Sequence, residues 1–317
     1  MQTNGRFPDV SSLLVAVFLI VLPLCAPVTL ASQLVIFAIG TLSVTVLLGT
    51  VGLLSFGQGL YMGFGAYAAG IMLLNSGFGL LPALAVSAVG GAGLACIAGF
   101  VIVRQQGVYF VMLTLALAQM GYFAMLSMKE VTGGENGLTG LPRELDIAGI
   151  SVTSLLGFYG LAAAALFLTF LAVQRLIDSP LGSVLTAIKD NESRSAALGY
   201  DVRRYKIVCF TVAGGIAGLS GGLHAVFLGF VPPNDIEIEM SQRLLVMAII
   251  GGVGSPAGAI VGAGFYTLAS ELLSELWARW MALIAIMLVA IVLFLPGGLW
   301  SIGERLRLAF QRGANHD

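Results

Sequence analysis

Few residues in this sequence are of a type that does acid–base, nucleophilic or metal chemistry, and they lie far apart. His224 is the only histidine inside an apolar stretch, and Cys25, Cys96 and Cys209 show no CxxC spacing. An enzyme needs a nucleophile beside a base, a set of metal ligands or paired carboxylates, and the apolar regions contain none of these patterns. The sequence therefore indicates neither an enzyme nor a metal site, and we interpret the cysteines as packing residues.

The sequence also lacks a motif that would supply energy for transport. No glycine is followed directly by lysine, so there is no GxxxxGK[ST] phosphate loop. No Asp, Glu, Lys or Arg lies at the centre of a predicted span, which disfavours an ion-coupled carrier. We interpret His224 as a partner in a helix–helix hydrogen bond, with a functional role as the alternative. If ATP drives transport, another chain must bind it.

Weakly polar side chains interrupt the third and fifth apolar segments and are candidates for lining a pathway. Non-helical backbone at membrane depth is tolerated only where protein or a water-filled cavity receives its polar groups. Such groups would suit a substrate with a small apolar side chain, whereas the alternative is that they form interhelical hydrogen bonds. The candidates are Ser55, Gln58, Tyr61, Thr114 and Gln119.

Composition sets the class of fold in which these residues must lie. The chain of 317 residues is 58% hydrophobic and only 10% charged, against about 25% charged in soluble domains. From Val10 to Val103 there is no charged residue and no histidine, which is long enough for about four spans of roughly 20 residues. The sequence predicts an all-α polytopic membrane protein with one transmembrane domain over residues 1–317. The net charge of -1 argues against a nucleic-acid partner.

Apolar segments divide this domain into about eight to ten transmembrane segments. The first is expected to be a retained span and not a cleaved signal peptide. Segments 55–74 and 241–254 are expected to be short or broken. The segments are 11–30, 33–54, 55–74, 80–103, 107–127, 154–174, 205–230, 241–254, 257–275 and 280–298.

The distribution of basic residues predicts the orientation of the chain. With a cytoplasmic N-terminus, only Lys129, Arg143, Arg243 and Arg279 of the 15 basic residues fall on the outer side. Nine of the 16 acidic residues fall there, among them Asp235 and Glu239. This follows the positive-inside rule, because cytoplasmic loops of membrane proteins are enriched in Lys and Arg. Both termini are then cytoplasmic, residues 128–153 form an external loop, and residues 175–206 and 299–317 form a cytoplasmic loop and tail.

The polar loop at residues 175–206 contains dense helix start and stop signals. Ser179 before Pro180 fits an N-cap and first helical position, and Asn191 or Asp190 fits the cap of a second short helix. Gly199 fits a helix C-cap, because left-handed backbone costs glycine nothing. Asp201 fits the cap of the next helix. We predict two short helices beside the membrane, whereas the alternative is a solvated loop that only fixes orientation.

Glycine accounts for 42 residues, well above the usual frequency of about 7%, and it is regularly spaced. Small residues four apart let helix backbones approach closely inside a membrane, where no hydrophobic effect drives association. The pattern predicts a closely packed helical bundle. The sets are Gly214, Gly218 and Gly222; Gly254, Gly258 and Gly262; and Gly59 with Gly63.

Six segments, in this order and covering nearly the whole chain, resemble the branched-chain amino-acid permease family of bacterial ABC importers. Each is weakly specific alone, and together they are highly specific. They are GLLSFGQGLYMGFGAYAAG (52–70), GVYFVMLTLALAQM (107–120), TGGENGLTGLP (132–142), SPLGSVLTAIKDNESRSAALGYDVRRYK (179–206), GGVGSPAGAIVGA (251–263) and LPGGLW (295–300).

The resemblance implies a subunit of the bacterial inner membrane with three kinds of protein partner. These are a second, related permease, two cytoplasmic ATPase subunits and a periplasmic substrate-binding protein. The chain itself would bind no cofactor, and ATP and Mg would be used by the ATPases. The implied substrates are branched-chain or other hydrophobic amino acids, and urea or amides are alternative substrates within the family. The alternative class of transporter is an ion-coupled secondary carrier.

The resemblance also implies a region that contacts the ATPases, whereas a contact with the binding protein is predicted from the length of the external loop and its acidic residues Glu130, Glu135 and Glu144. ABC permeases dock a short cytoplasmic helix on each ATPase through a motif of EAA, three residues and Gly, and here the spacing differs because only Leu198 separates Ala197 from Gly199. The predicted ATPase-coupling residues are Asp190, Asn191, Glu192, Arg194, Ala196, Ala197 and Gly199. The predicted residues for docking the binding protein are Thr132, Gly133, Gly134, Glu135 and Asn136.

Overall fold

The structure, a computed structural model, is a bundle of α-helices. It describes residues 10–75, 79–142, 146–147, 150–151, 154–277, 279–295 and 297–301. The predicted tail at residues 299–317 therefore lies mostly outside the described residues. The predicted all-α class is confirmed, since the only strands in the described residues are the paired β1 (Asp146–Ile147) and β2 (Ile150–Ser151).

Each of the ten predicted apolar segments contains one long helix. Shorter helices lie between them, and 3-10 turns at Gly134–Asn136 and Pro233–Asp235 complete the described elements. The helices are α1 (Val10–Cys25), α2 (Val28–Thr45), α3 (Gln58–Asn75), α4 (Leu80–Ile102), α5 (Gly107–Ser127), α6 (Lys129–Thr132), α7 (Leu155–Asp178), α8 (Pro180–Asp190), α9 (Glu192–Ala197), α10 (Val202–Leu228), α11 (Ile238–Gly251), α12 (Pro256–Leu276) and α13 (Trp280–Phe294).

Six helices in the described part of the chain are long and apolar enough to cross a membrane. They are α2 with its π-helical extension Val46–Val51, α4, α5, α7, α10 and α12, while α1 and α13 are shorter apolar helices. The two remaining long helices, α3 and α11, lie in the segments that we expected to be short or broken. Length and composition together confirm a polytopic membrane protein.

The centre of the bundle is formed by α2, α3, α4 and α10. α10 packs most extensively against α4 and α3 and then against α2, and 89% of an 18-residue window in the span Val28–Val51 is buried. The predicted glycine packing is confirmed here. A Cβ at Gly218 would overlap the Ser87 carbonyl of α4, and a Cβ at Gly221 would overlap the Met62 carbonyl of α3. Gly254 is the exception, because no atom lies within 4 Å of a Cβ there.

The bundle has two distinguishable ends. The α8 end carries α8, α9 and the C-terminus of α2, where Lys189 Nζ of α8 donates to the Gly49 carbonyl at 2.8 Å. The opposite end carries residues 128–142, where Leu138 forms an antiparallel bridge with Val231. Since a Cβ at Gly49 would overlap the carbonyl of Val253, two residues after α11 ends at Gly251, the C-terminal end of α11 also belongs to the α8 end.

A matched pair of glycine substitutions tests how closely α10 packs against its neighbours. Gly221→Ala is expected to destabilise the protein by about 1–3 kcal/mol, because its Cβ meets backbone that cannot rotate away. Gly93→Ala, in α4 with no atom within 4 Å of the added Cβ, is expected to be neutral or slightly stabilising. Thermal unfolding of the two variants in the same detergent checks this, and equal unfolding temperatures would contradict it.

Candidate functional site

The third apolar segment is broken between α2 and α3, as predicted. After the π-helical turn, Gly52 adopts φ 74°, and residues 53–57 are not helical before α3 begins at Gln58. The freed backbone groups are taken up locally: Phe56 N–H donates to Thr114 Oγ1 of α5 at 3.2 Å, and Gly57 N–H donates to Ser55 Oγ at 3.1 Å. The break is therefore held by side chains that the sequence identified as polar interruptions.

Four of the five pathway candidates lie together inside the bundle. Ser55, Gln58, Tyr61 and Thr114 are all buried, whereas Gln119 is half-buried on α5. Gln58 Oε1 accepts a hydrogen bond from Ser43 Oγ of α2 at 3.1 Å. The amide nitrogen of Gln58 and the hydroxyl of Tyr61 have no hydrogen-bond partner within the described residues. The cluster thus combines satisfied interhelical bonds with two donors that remain free.

The N-termini of α3 and α11 meet deep in the bundle. Gly59 N–H donates to Ser241 Oγ at 2.8 Å, and a Cβ at Gly59 would lie 3.0 Å from the Glu237 carbonyl. Ser241 is ten residues before Gly251, so this contact lies about 15 Å from the α8 end at 1.5 Å per residue. That distance is about half of the roughly 30 Å hydrocarbon thickness. α3, with 18 residues, and α11, with 14 residues, therefore both begin inside the bundle and not at its surface.

A buried ionisable pair was missed by the sequence reasoning. His224 Nδ1 of α10 lies 2.8 Å from Asp235 Oδ2, and both side chains are at least nine-tenths buried. We expected Asp235 on the outer side, but the chain turns back at Gly229, which has φ 74°, and the 3-10 turn returns Asp235 to α10. His224 is thus hydrogen-bonded, as we interpreted, but its partner lies in the 3-10 turn after α10 and not on another long helix. The signal that could have found its partner is the Pro232–Pro233 turn between the two residues.

At the α8 end, the predicted caps are confirmed one by one. Ser179 accepts from Gly182 N–H, Asn191 from Arg194 N–H, and Asp201 from Arg204 N–H, and Gly199 has φ 91°. The two short helices of the prediction are α8 and α9. Because each is capped at its start, the loop is folded and not merely solvated.

α9 has an exposed outer face and is joined to α10 by a salt bridge whose lysine is buried. Lys206 of α10 is 3% exposed and pairs with Glu192 Oε2 of α9 at 2.6 Å. Leu198, which sequence reasoning did not select, is 73% exposed. Among the predicted coupling residues Glu192 is half-buried, and the exposed ones are Asp190, Asn191, Arg194, Ala196, Ala197 and Gly199.

At the opposite end, residues 132–136 form a tight turn. Thr132 Oγ1 donates to the carbonyls of Met125 and Met128, and it accepts from Gly134 N–H at 3.3 Å. Thr132 and Gly134 are buried by these contacts, so the turn presents only Gly133, Glu135 and Asn136 to solvent. The predicted docking residues therefore divide into two that build the turn and three that are accessible.

No group of three or more potential ligands that could hold a metal ion occurs within the part of the chain that the structure describes. The fold and these sites define a multi-pass helical membrane protein with a capped helical projection at one end. The chain belongs to the family described as branched-chain amino acid transport system, permease component, whose sequence profile matches residues 26–293. It is therefore a membrane transport subunit.

Individual relatives agree with this family. The high-affinity branched-chain amino acid transport system permease protein LivM of Escherichia coli (strain K12) is 27% identical over 310 residues, covering 90% of this chain and 72% of the relative. LivM of Salmonella typhimurium is 26% identical over 295 residues, covering 86% and 69%. The autoinducer 2 import system permease protein LsrC of Enterobacter sp. (strain 638) is 31% identical over 265 residues, covering 79% and 71%.

A double-mutant cycle measures how much the buried pair of His224 and Asp235 contributes to the free energy of unfolding. Asp235→Ala and His224→Ala should each destabilise the protein by about 1–3 kcal/mol, because each leaves a buried polar partner unsatisfied. The double variant should cost less than the sum of the two, with a coupling of about 0.5–3 kcal/mol. Denaturant unfolding of the four proteins measures this, and strictly additive losses would show that the pair does not contribute.

Proposed function

We propose that this chain is the permease subunit of a binding-protein-dependent ABC importer for branched-chain or other hydrophobic amino acids. The observation that carries the proposal is the match of the permease family to residues 26–293, joined to LivM similarity over 90% of the chain. In this reading the partners are a second, related permease, two ABC ATPases that use ATP and Mg, and a periplasmic binding protein. The α8 end and both termini face the cytoplasm of the bacterial cell.

The surroundings of α9 support a contact with an ATPase at the α8 end. Its exposed residues adjoin a crevice of about 390 Å³ beside the start of α10, lined by Leu181, Gly199, Tyr200, Asp201, Arg204, Tyr205 and Val208. The Lys206–Glu192 pair connects α9 to α10, and Lys189 connects α8 to the end of α2. A force applied to α8 and α9 is therefore passed directly to two central helices.

A different cargo is the second candidate, and a specific observation favours it. LsrC, a permease of an autoinducer 2 import system, is 31% identical to this chain, slightly more than LivM.

Reconstitution with the cognate ATPases and binding protein decides between the two substrate classes. ATP-dependent uptake of leucine, isoleucine or valine supports the proposal, and uptake of autoinducer 2 alone overturns its substrate class. Transport by this chain alone without ATP would instead indicate an ion-coupled carrier, for which His224 and Asp235 are the available ionisable pair.

The coupling contact can be tested at Gly199. Two substitutions there distinguish the effect of side-chain bulk from the effect of the positive φ angle. Gly199→Arg should abolish uptake and substrate-stimulated ATP hydrolysis together, because arginine adds bulk and is strained at φ 91°. Gly199→Asn is the matched control, since asparagine tolerates positive φ and the added Cβ has no atom within 4 Å. It should retain most activity.

Assays of both variants in reconstituted complexes, at equal subunit content, measure this. If Gly199→Arg matches the unaltered complex in uptake and ATP hydrolysis, α9 is not the coupling element. Glu192 is a less suitable probe, because replacing it also leaves the buried ammonium of Lys206 unpaired.

Prediction for docking of the binding protein concerns the exposed carboxylate of Glu135. Glu135→Arg should raise the concentration of binding protein needed for half-maximal uptake by up to about fivefold, because one exposed ion pair is worth ~0–1 kcal/mol. Asn136→Ala, on the same exposed turn, should change it less. Titration of uptake against binding protein at low and high salt measures this, and an unchanged half-maximal concentration at low salt would contradict the assignment.

A further inference from the structure

A polar crevice of about 280 Å³ lies between α11, α12 and α13. α11 contributes Glu239, Gln242 and Arg243 to it. The facing wall is mostly apolar and includes Tyr266 of α12 and Met281 and Ile284 of α13. The crevice thus places two opposite charges and an amide beside an apolar surface.

The two charged side chains of the crevice have no ion-pair partner within the described residues. Glu239 and Gln242 are exposed, and Arg243 is half-buried with its guanidinium carbon 5.9 Å from the centroid of the Phe37 ring. Within the described residues, the ion pairs are Arg204–Asp201, Lys206–Glu192 and His224–Asp235, so neither Glu239 nor Arg243 is paired. The aromatic contact holds the guanidinium in place while its donors remain available.

Helix length places these charges well inside the bundle when their position is measured from the α8 end. Arg243 is eight residues before Gly251 at the α8 end, which corresponds to about 12 Å, and Glu239 is one turn further, at about 18 Å. Tyr266 is ten residues from Pro256 at the start of α12, which gives about 15 Å independently. All three values lie near the middle of a hydrocarbon layer roughly 30 Å thick.

Unpaired charges at this depth do not face lipid tails. Ionisable residues inside membranes face a water-filled cavity or other protein, and they mark ligand and ion pathways. Glu239 and Arg243 are four residues apart, so their Cβ atoms lie about 5–6 Å apart on one helix face. A ligand with a carboxylate and an ammonium group close together complements this arrangement.

We propose that the crevice is a station on the transport pathway that binds the zwitterionic end of an α-amino acid. Arg243 donates two parallel hydrogen bonds to the carboxylate, and Glu239 accepts from the ammonium group. Met281, Ile284 and Leu288 receive the apolar side chain. This inference rests on the proposed function, because it deepens the assignment of amino acids as the substrate class.

The test is thiol labelling in the assembled complex with Cys25, Cys96 and Cys209 replaced by serine. Gln242→Cys should react with a small hydrophilic methanethiosulfonate at least about tenfold faster than Val289→Cys, which lies on the apolar outer face of α13 and is 56% exposed. Leucine should slow the labelling of Gln242→Cys. Leucinamide, which lacks the carboxylate, and 4-methylpentanoate, which lacks the ammonium group, should not.

Adding Arg243→Gln to the same background should raise the leucine concentration for half-maximal protection by about tenfold or more, because a hydrogen bond to a charged group is lost. Equal reactivity of Gln242→Cys and Val289→Cys would overturn the proposal by showing a face closed by lipid or by a partner subunit. Labelling that leucine does not slow would overturn it as well. Leucine uptake by the unaltered complex, measured in parallel, separates these results from failure of the proposed function itself.

Discussion

Inside the bundle, side chains of α5 and α11 hydrogen-bond backbone N–H groups in the break before α3 and in the first turn of α3. Thr114 of α5 accepts from Phe56, and Ser241 of α11 accepts from Gly59. In the interior of a membrane no water is available to replace such bonds, so each unsatisfied group is costly. The positions of α5 and α11 against α3 are therefore fixed by this requirement. The polar residues of these helices have a structural role whatever cargo the protein carries.

Local signals in the sequence predicted local structure well. Ser179, Asn191 and Asp201 cap the helices that they were expected to cap, because a cap depends on residues within one turn of it. Glycine spacing predicted the close contacts of α10, because one face of a helix is defined by positions four apart. Hydropathy found every long helix in the described residues, although it placed the start of α2 five residues late and the starts of α10 and α11 three residues late.

Contacts that depend on how the chain folds back were not predicted. The pairing of His224 with Asp235 requires the return at Gly229, and the burial of Lys206 requires α9 to lie against α10. An orientation rule counts charges per loop, so it assigned Asp235, Glu239 and Arg243 to an aqueous side by their order in the chain. The structure places Asp235 against α10 and includes Glu239 and Arg243 in α11, contacts that a count of charges per loop does not address. Membrane depth is a property of the tertiary fold.

The contacts of α10 with α3 and α4 join backbone to backbone, through Gly218, Gly221 and their neighbours. Such a contact contains no side chain whose rotamer can change, so the helices on either side have no alternative packing at small displacement. We consequently expect α3, α4 and α10 to move together. Relative motion is confined to helices with looser packing, such as α5, where only Phe110, Thr114 and Ala118 are buried. We therefore expect a conformational change in this subunit to displace the marginal helices while the packing at its centre is kept.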